Sequence, residues 1–419
     1  MAIINKILWI IAISFIIVNS VYFSIKLKFP QLKFNKLLKS IKFQKSKNEI
    51  TPSDTLIMTL SSKIGVGSLA GTALCIYYGG PGAVFWMFLS SFLLSILNYL
   101  ENALSIIYKD QKKNKSGPPY YIKKGLNKKK LAYIYALLVI IAYIFLFLSI
   151  QTNTIVVLTN EMISINKVLI SAFITLLSGL IILKGIKKIS NICNKLFPIM
   201  MFIFLISGII IMCKSFDTIP IVIKSIINNI TNVKSIHGGV IYLIIISFQR
   251  SIFATESGVG TSAIISGSSS SNNYKLQASL GLFTTYFINF VIIGITSLVI
   301  LTSGISDMKI TNGIELTKSA YLYHLGIPGE IILYIILVLF SFSTIITIYY
   351  YGESSLKFIT TKKQFINILK IITIISIFTG GIINGITIWE YIDIFLAILT
   401  IINMYAIYKL RNIIVSKLE

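Results

Sequence analysis

Charge is scarce in this chain, and acidic charge scarcer still: 12% of 419 residues are charged, with 14 Asp and Glu against 38 Lys and Arg. Histidine occurs twice and cysteine three times. His237 and His324 have no serine, cysteine or carboxylate at nucleophile spacing. Cys75, Cys193 and Cys213 lie in or beside apolar segments at unrelated spacings, so they spell neither a disulfide framework nor a metal motif. No phosphate-binding loop or metal-ligand cluster is visible, and no ring of charges or filter-like repeat marks a channel. Arginine is the rarest base, only Arg250 and Arg411, with lysine everywhere else. These absences argue against an enzyme, against any cofactor and against a metal beyond a coupling ion.

What the chain has is apolar length. Hydrophobic residues make up 55% of it and its mean hydropathy is +0.84, outside the range of soluble domains. The fold class is therefore all-α integral membrane. About 20 apolar residues span a bilayer, and eleven such stretches run over 7–25, 54–78, 82–107, 131–158, 167–183, 196–213, 239–265, 277–302, 330–351, 365–383 and 388–409. The first follows Lys6 like a signal peptide, but no small-residue cleavage pattern follows it, and it reads as a retained helix. The net charge of +24 reports topology and not a nucleic-acid partner. Eight lysines between 26 and 47, and nine between 109 and 130, mark cytoplasmic loops. Alternation then puts the N-terminus outside and the C-terminus in the cytoplasm of a multi-pass cell (inner or plasma) membrane protein whose standing partner is the bilayer.

Two of the spans are interrupted. Gly65, Gly67 and Gly71 break the second, and Thr255-Glu256-Ser257-Gly258-Val259-Gly260-Thr261-Ser262 breaks the seventh. Irregular backbone at bilayer depth is tolerated only where it is buried in protein or lines a cavity. Paired broken helices five spans apart, in segments of opposite orientation, mark an inverted five-plus-five repeat with a ligand site at its interface. Packing glycines of a small-xxx-small interface are the competing explanation. The expected organisation is an N-terminal helix and basic loop over 1–50, a first repeat over 51–215, an external amphipathic segment over 216–236, a second repeat over 237–410 and a cytoplasmic tail over 411–419. Four consecutive serines within 266–273 read as a flexible linker.

Several motifs carry a resemblance. They are Gly65-Val66-Gly67-Ser68-Leu69-Ala70-Gly71, Gly79-Gly80-Pro81-Gly82-Ala83-Val84-Phe85-Trp86, Gly117-Pro118-Pro119-Tyr120-Tyr121-Ile122 and the run from Arg250 to Ala263. With Phe340-Ser341-Phe342-Ser343-Thr344 and Tyr350-Tyr351-Gly352-Glu353, the stretch from about 50 to 410 resembles the alanine or glycine:cation symporter family. The resemblance implies a leucine-transporter-type fold with one extra N-terminal helix, about eleven helices in all, and symport of a small neutral amino acid, alanine or glycine, by alternating access. The coupling ion would be Na+ or H+. Departures are Lys63, Val66 and Ser68 in the first break, Ala254 to Ser257 in the second, and Ile288-Asn289 in the eighth span. They keep open a transport-inactive membrane sensor or structural relative, and a proton-coupled or sodium-independent carrier.

The candidate substrate-binding residues are Gly65, Gly67 and Ser68, Gln151, and Phe253, Ala254, Thr255 and Ser257. The glycines would let the backbone unwind through positive φ and expose N–H groups to a carboxylate. Gln151 lies mid-span beside Thr152 and Asn153 and could equally be an interhelical contact. The resemblance places a sodium ion among Ile64, Ser343 and Thr344, although such hydroxyls often bond back to their own helix. Lys63 adjoins that place: its ammonium could stand in for the ion, or snorkel to water or an acid. Arg250, a membrane guanidinium needing partners, is expected in a structural or gating ion pair with Glu256 or Glu101. Trp389 and Asp393, matching the family's last helix, are expected to be structural or gating.

Overall fold

The computed structural model describes residues 2–33, 49–111, 114–231, 239–305, 313–383 and 386–419, all of them in helices or their connections, with no strand among them. The first helix, α1 (Ala2–Lys26), is followed by a broken pair, α2 (Pro52–Lys63) and α3 (Val66–Gly79), then by α4 (Gly82–Ile107) and the short α5 (Pro118–Gly125). The long α6 (Lys129–Ile163) includes a π-helical stretch over Ile141–Phe147. Next come α7 (Lys167–Ile182), α8 (Ile186–Lys214), α9 (Ile219–Asn228), and a second interrupted pair, α10 (Gly239–Thr255) and α11 (Thr261–Ser266). In α12 (Tyr274–Thr302) a second π-helical stretch covers Phe287–Ile293. The chain closes with α13 (Gly313–Leu325), α14 (Ile327–Ile359), α15 (Lys363–Ile382), α16 (Ile386–Lys409) and α17 (Arg411–Leu418).

Among the described residues eight helices are long and apolar enough to cross a bilayer, or nine if α2 and α3 form one span bent by 46°. The helices α7 and α10 are apolar but shorter. Outward apolar faces keep helical spacing, as at Phe173, Leu176 and Leu180 of α7, exposed by 62%, 62% and 54%. Facing lipid, such side chains need no burial in protein.

Local signals set the elements that hold the site. α2 starts with a capping box: Thr51 Oγ1 accepts the Asp54 N–H at 3.2 Å and Asp54 Oδ2 accepts the Thr51 N–H at 2.8 Å, with Pro52 in the first turn. The other carboxylate oxygen of Asp54 accepts Asn194 Nδ2 at 2.6 Å, tying α2 to α8. α14, 33 residues long, packs on α2, α6, α8 and α13. α4 packs along α12, α3 along α10, and α1 along α16 and α4.

Some expectations change. The amphipathic segment is a helix only over Ile219–Asn228, exposing Ile221 and Ile227, and the expected segment's last residues, with His237, lie outside the described residues. So does most of the first lysine-rich loop. The serine-rich linker is packed rather than free, because its polar groups find partners. Ser268 and Ser269 are buried, Ser270 N–H donates to Ile50 O at 2.8 Å, and Lys109 Nζ donates to Ser269 O at 2.5 Å. Next to it, Lys115 donates to Tyr350 Oη at 2.9 Å and sits over that ring at 4.1 Å. Burial brings the Lys115 amine down to about 8, although Glu353 opposes the shift.

Candidate functional site between two broken helices

The first interruption falls at Ile64 and Gly65, between the last residue of α2 and the first of α3. Gly65 has φ −132° and ψ −160°, extended backbone that any residue adopts, so the positive φ expected of it is not what requires glycine. Close approach requires it. A Cβ there would stand 2.8 Å from Thr344 Oγ1 and 3.0 Å from Gln151 Oε1. Gln151 Oε1 accepts the Val66 N–H at 3.3 Å, so this buried amide caps the start of α3. At Gly67 a Cβ would lie 2.1 Å from Phe253 Cε1 and 2.4 Å from Cδ1, because that edge of the Phe253 ring packs against the first turn of α3.

Phe253 has two aromatic neighbours. Its centroid is 5.1 Å from that of Phe147, stacked, and 5.0 Å from that of Trp389, tilted. The Arg250 guanidinium lies 5.8 Å from the same ring. Ala254 and Thr255 complete that turn, buried, with Thr255 Oγ1 bonded back to Ser251 O at 2.8 Å. Ser68 Oγ likewise bonds back, to Gly65 O at 2.9 Å. Ser257, within the second break, meets Thr285 Oγ1 at 2.8 Å, so its hydroxyl turns toward α12.

The second interruption runs through 256–260, where Glu256, Gly258 and Gly260 have φ of +48°, +86° and +96°. For the two glycines this is cheap; for Glu256 it costs about 1–2 kcal/mol. The side chain offsets the strain by bridging the gap: Glu256 Oε2 accepts Thr261 Oγ1 at 2.6 Å and Tyr351 Oη at 3.1 Å. Tyr351 Oη in turn meets Ser62 Oγ at 2.8 Å, linking the two breaks. Glu101 accepts Asn403 Nδ2 at 2.9 Å and Ser262 Oγ at 3.2 Å.

The expected pairing of Arg250 with Glu256 or Glu101 is therefore corrected. Both carboxylates take hydroxyl and amide donors from α11, α14 and α16, while Arg250 Nη2 reaches Asp393 Oδ2 of α16 at 2.6 Å. Gln249 Nε2 donates to the same oxygen at 2.7 Å. Lys63, not Arg250, is the cation acted on electrostatically by Glu256 and Glu101. Its Nζ is buried and makes no hydrogen bond.

Four oxygens gather where α2 ends against α14. Thr344 Oγ1 lies 3.1 Å from Ser61 O and 3.4 Å from Ile64 O, and Ser343 Oγ lies 3.3 Å from Ser61 O. Two carbonyls freed near a helix end and two hydroxyls suit a small hard cation. Each hydroxyl also donates to Phe340 O, at 2.9 Å and 2.8 Å. Ser61 escaped sequence reasoning because it contributes a main-chain oxygen, to which residue type gives no clue. Tyr351 and Phe147 escaped it because aromatics are common here and only position in space distinguishes them.

A family model described as the sodium:alanine symporter family matches residues 1–419. The chain is 29% identical over 367 residues to the amino-acid carrier protein AlsT of Bacillus subtilis, covering 87% of this chain and 78% of that one. It is 25% identical over 417 residues to the sodium/alanine symporter AgcS of Methanococcus maripaludis, covering 95% and 91%. Its fold is similar to that in the crystal structure of a manganese transporter from Eremococcus coleocola, with a TM-score of 0.53 at 11% identity over 87% of this chain and 77% of that chain.

Proposed function

We propose, for a chain that belongs to the sodium:alanine symporter family, that it carries a small neutral amino acid, alanine or glycine, across the cell membrane together with a cation by alternating access. As a member of that family it is a transporter and not an enzyme. In this reading eleven spans make a five-plus-five inverted repeat with α1 outside it, the N-terminus faces out and the C-terminus lies in the cytoplasm.

The observation that carries the proposal is the meeting of the two breaks, with the edge of the Phe253 ring against Gly67 and the Gln151 amide oxygen on the Val66 N–H. A carboxylate suits the N-terminal amides of α3, where the helix dipole favours negative charge. The tight approach at Gly65 and Gly67 favours a ligand with little or no side chain. Phe253 would swing off to admit it and close again to exclude water. The cation would take the oxygens of Ser61, Ile64, Ser343 and Thr344, and by straddling α2 and α14 would bias the carrier toward one state. Uptake of radiolabelled alanine and glycine into proteoliposomes, with and without an inward sodium gradient, tests this. Absence of uptake under every gradient would favour the transport-inactive sensor.

A second reading of the coupling rests on Lys63. Its ammonium is buried, has no hydrogen-bond partner and stands in the field of two buried carboxylates. Such a group could load and release a proton in step with the cycle, coupling transport to protons or making it sodium-independent. Alanine uptake that persists in sodium-free buffer and follows a proton gradient supports this alternative; strict sodium dependence removes it.

A further inference from the structure

Where α6 begins and α16 ends, cations gather with no acid paired to them. Lys128, immediately before α6, donates from Nζ to Tyr405 Oη and stands 4.7 Å from the centre of that ring. Lys409, the last residue of α16, holds its Nζ 5.9 Å from the same ring, so two ammonium groups share one tyrosine. Arg411 opens α17 with its guanidinium 4.7 Å from the Tyr408 ring, and the exposed Lys129 and Lys130 follow Lys128. Ion pairs among the described residues are confined to Arg250, Lys318 and Lys357, so none of these five cations has a carboxylate partner. Like charges brought together repel, and a counter-ion relieves them. Because Tyr405 Oη accepts from Lys128, its own hydrogen is left to donate. Lys128, Tyr405 and Lys409 therefore offer donors, which suits an anion with several oxygens. The depth narrows the anion further. Tyr133 of α6, Tyr405 and Tyr408 of α16, and Tyr22 of α1, 6.3 Å from Tyr408, are half-buried or exposed, as a belt of tyrosines at headgroup level is.

We propose that Lys128, Tyr405 and Lys409 bind the phosphate of an anionic phospholipid, which in the orientation given above belongs to the cytoplasmic leaflet. The phosphate oxygens accept from the two ammonium groups and from the tyrosine hydroxyl, while Arg411, Lys129 and Lys130 add to the positive field around them. A zwitterionic lipid brings its own ammonium into that field and loses most of the gain. A soluble phosphate lacks the acyl chains that hold a lipid at this depth. Bound here, the lipid clips the start of α6, which carries Gln151, to the end of α16. Asn403, two residues before Tyr405, donates to Gly258 O at 2.9 Å, so what steadies this end of α16 also steadies the second break. The binding is independent of the transport reading, because it needs neither amino acid nor coupling ion.

Thermal melting of the purified full chain in an uncharged detergent, titrated with phosphatidylglycerol, phosphatidylcholine or inorganic phosphate, tests the site. Phosphatidylglycerol should raise the melting temperature, because a ligand of the folded state stabilises it; the other two at matched concentration should not. Lys128→Gln/Lys409→Gln should raise the phosphatidylglycerol concentration for half the full shift about thirty-fold. Lys187→Gln/Lys188→Gln removes the same charge from another exposed loop and should leave that concentration unchanged. Should the first pair fail to fold, Tyr405→Phe, which removes only the hydroxyl, must still raise it about five-fold. An equal response to phosphatidylcholine, a Lys128→Gln/Lys409→Gln protein that responds like the wild type, or a control pair that loses as much overturns the site. A full shift with inorganic phosphate alone overturns the lipid as its occupant. Each of these results leaves the transport reading standing, since amino-acid uptake is measured separately.

Discussion

Adding one methyl group at Gly67 puts the meeting of the two breaks to a quantitative test. In Gly67→Ala the new carbon would begin 2.1 Å from Phe253 Cε1 and 2.4 Å from Cδ1, well inside van der Waals contact. The ring has little room to slide aside, since it is buried and packs on Phe147 and Trp389 with centroids at 5.1 and 5.0 Å. Overpacking of this kind costs about 1–3 kcal/mol. A helical Gly→Ala change by itself would return up to about 1 kcal/mol, so the net destabilisation should be near 1–2 kcal/mol. If Phe253 must pack in this place for the carrier to close, the same clash should lower alanine uptake about five- to thirty-fold. Gly71, one turn on, is the control: its Cβ would meet Arg250 Cδ at 3.7 Å, ordinary contact, so Gly71→Ala should melt no lower than the wild type. Trimming the ring in Gly67→Ala/Phe253→Leu should recover most of the lost stability, giving a coupling energy of at least about 1 kcal/mol. Thermal melting and proteoliposome uptake of the wild type, Gly67→Ala, Phe253→Leu and the double variant close the cycle. Additive losses in melting, or a Gly67→Ala protein as stable and active as wild type, would refute the packing of Phe253 on α3.

The hydroxyl pair predicts a second outcome: Ser343→Ala/Thr344→Val should raise the sodium concentration for half-maximal uptake at least about ten-fold, as measured by sodium titration of initial rates. For the buried charges, Lys63→Met leaves Glu256 and Glu101 without a nearby cation, and any stability it loses should be smaller in Lys63→Met/Glu256→Gln. Denaturation of the three variants and their parent measures that coupling. At the packed loop, the folded protein holds the Lys115 amine near 8, below the usual lysine value of about 10.4. Between these limits the unfolded chain binds the extra proton, so stability should rise with pH from about 8 to 10 and fall back as pH drops through 8. Lys115→Met should flatten that part of a melting-temperature profile.

The apolar segments and both interruptions were legible in the sequence, because glycines and a glutamate in otherwise apolar runs have no place in a plain span. The partner of Arg250 was not. Glu256 is six residues along the chain, but the backbone turns at Glu256 to Gly260 and carries its carboxylate to Thr261 and Tyr351. Asp393 is 143 residues away, and only folding brings it within 2.6 Å. The three short helices α5, α13 and α17 also escaped, since a few polar turns leave no apolar period to read. Composition likewise misjudged the serine run, whose hydroxyls and amides are taken up by neighbouring loops. The glycines of the first break were expected for the right place and the wrong reason: crowding by Thr344 and Gln151 demands a missing side chain at Gly65, and dihedral freedom does not.

The π-helical winding over Ile141–Phe147 sets the compass bearing of everything after it in α6. Each residue of an α-helix advances the direction of its side chain by about 100° and each residue of a wider π-turn by about 80°, so rewinding all seven residues of 141–147 into regular α-turns would rotate Gln151 about a third of a turn from the Val66 amide it now meets. The aromatic stack of Phe147 on Phe253 would be unshipped by the same twist. One loose coil thus aims two contacts at once, and a sequence change that never touches either side chain is enough to disarm both.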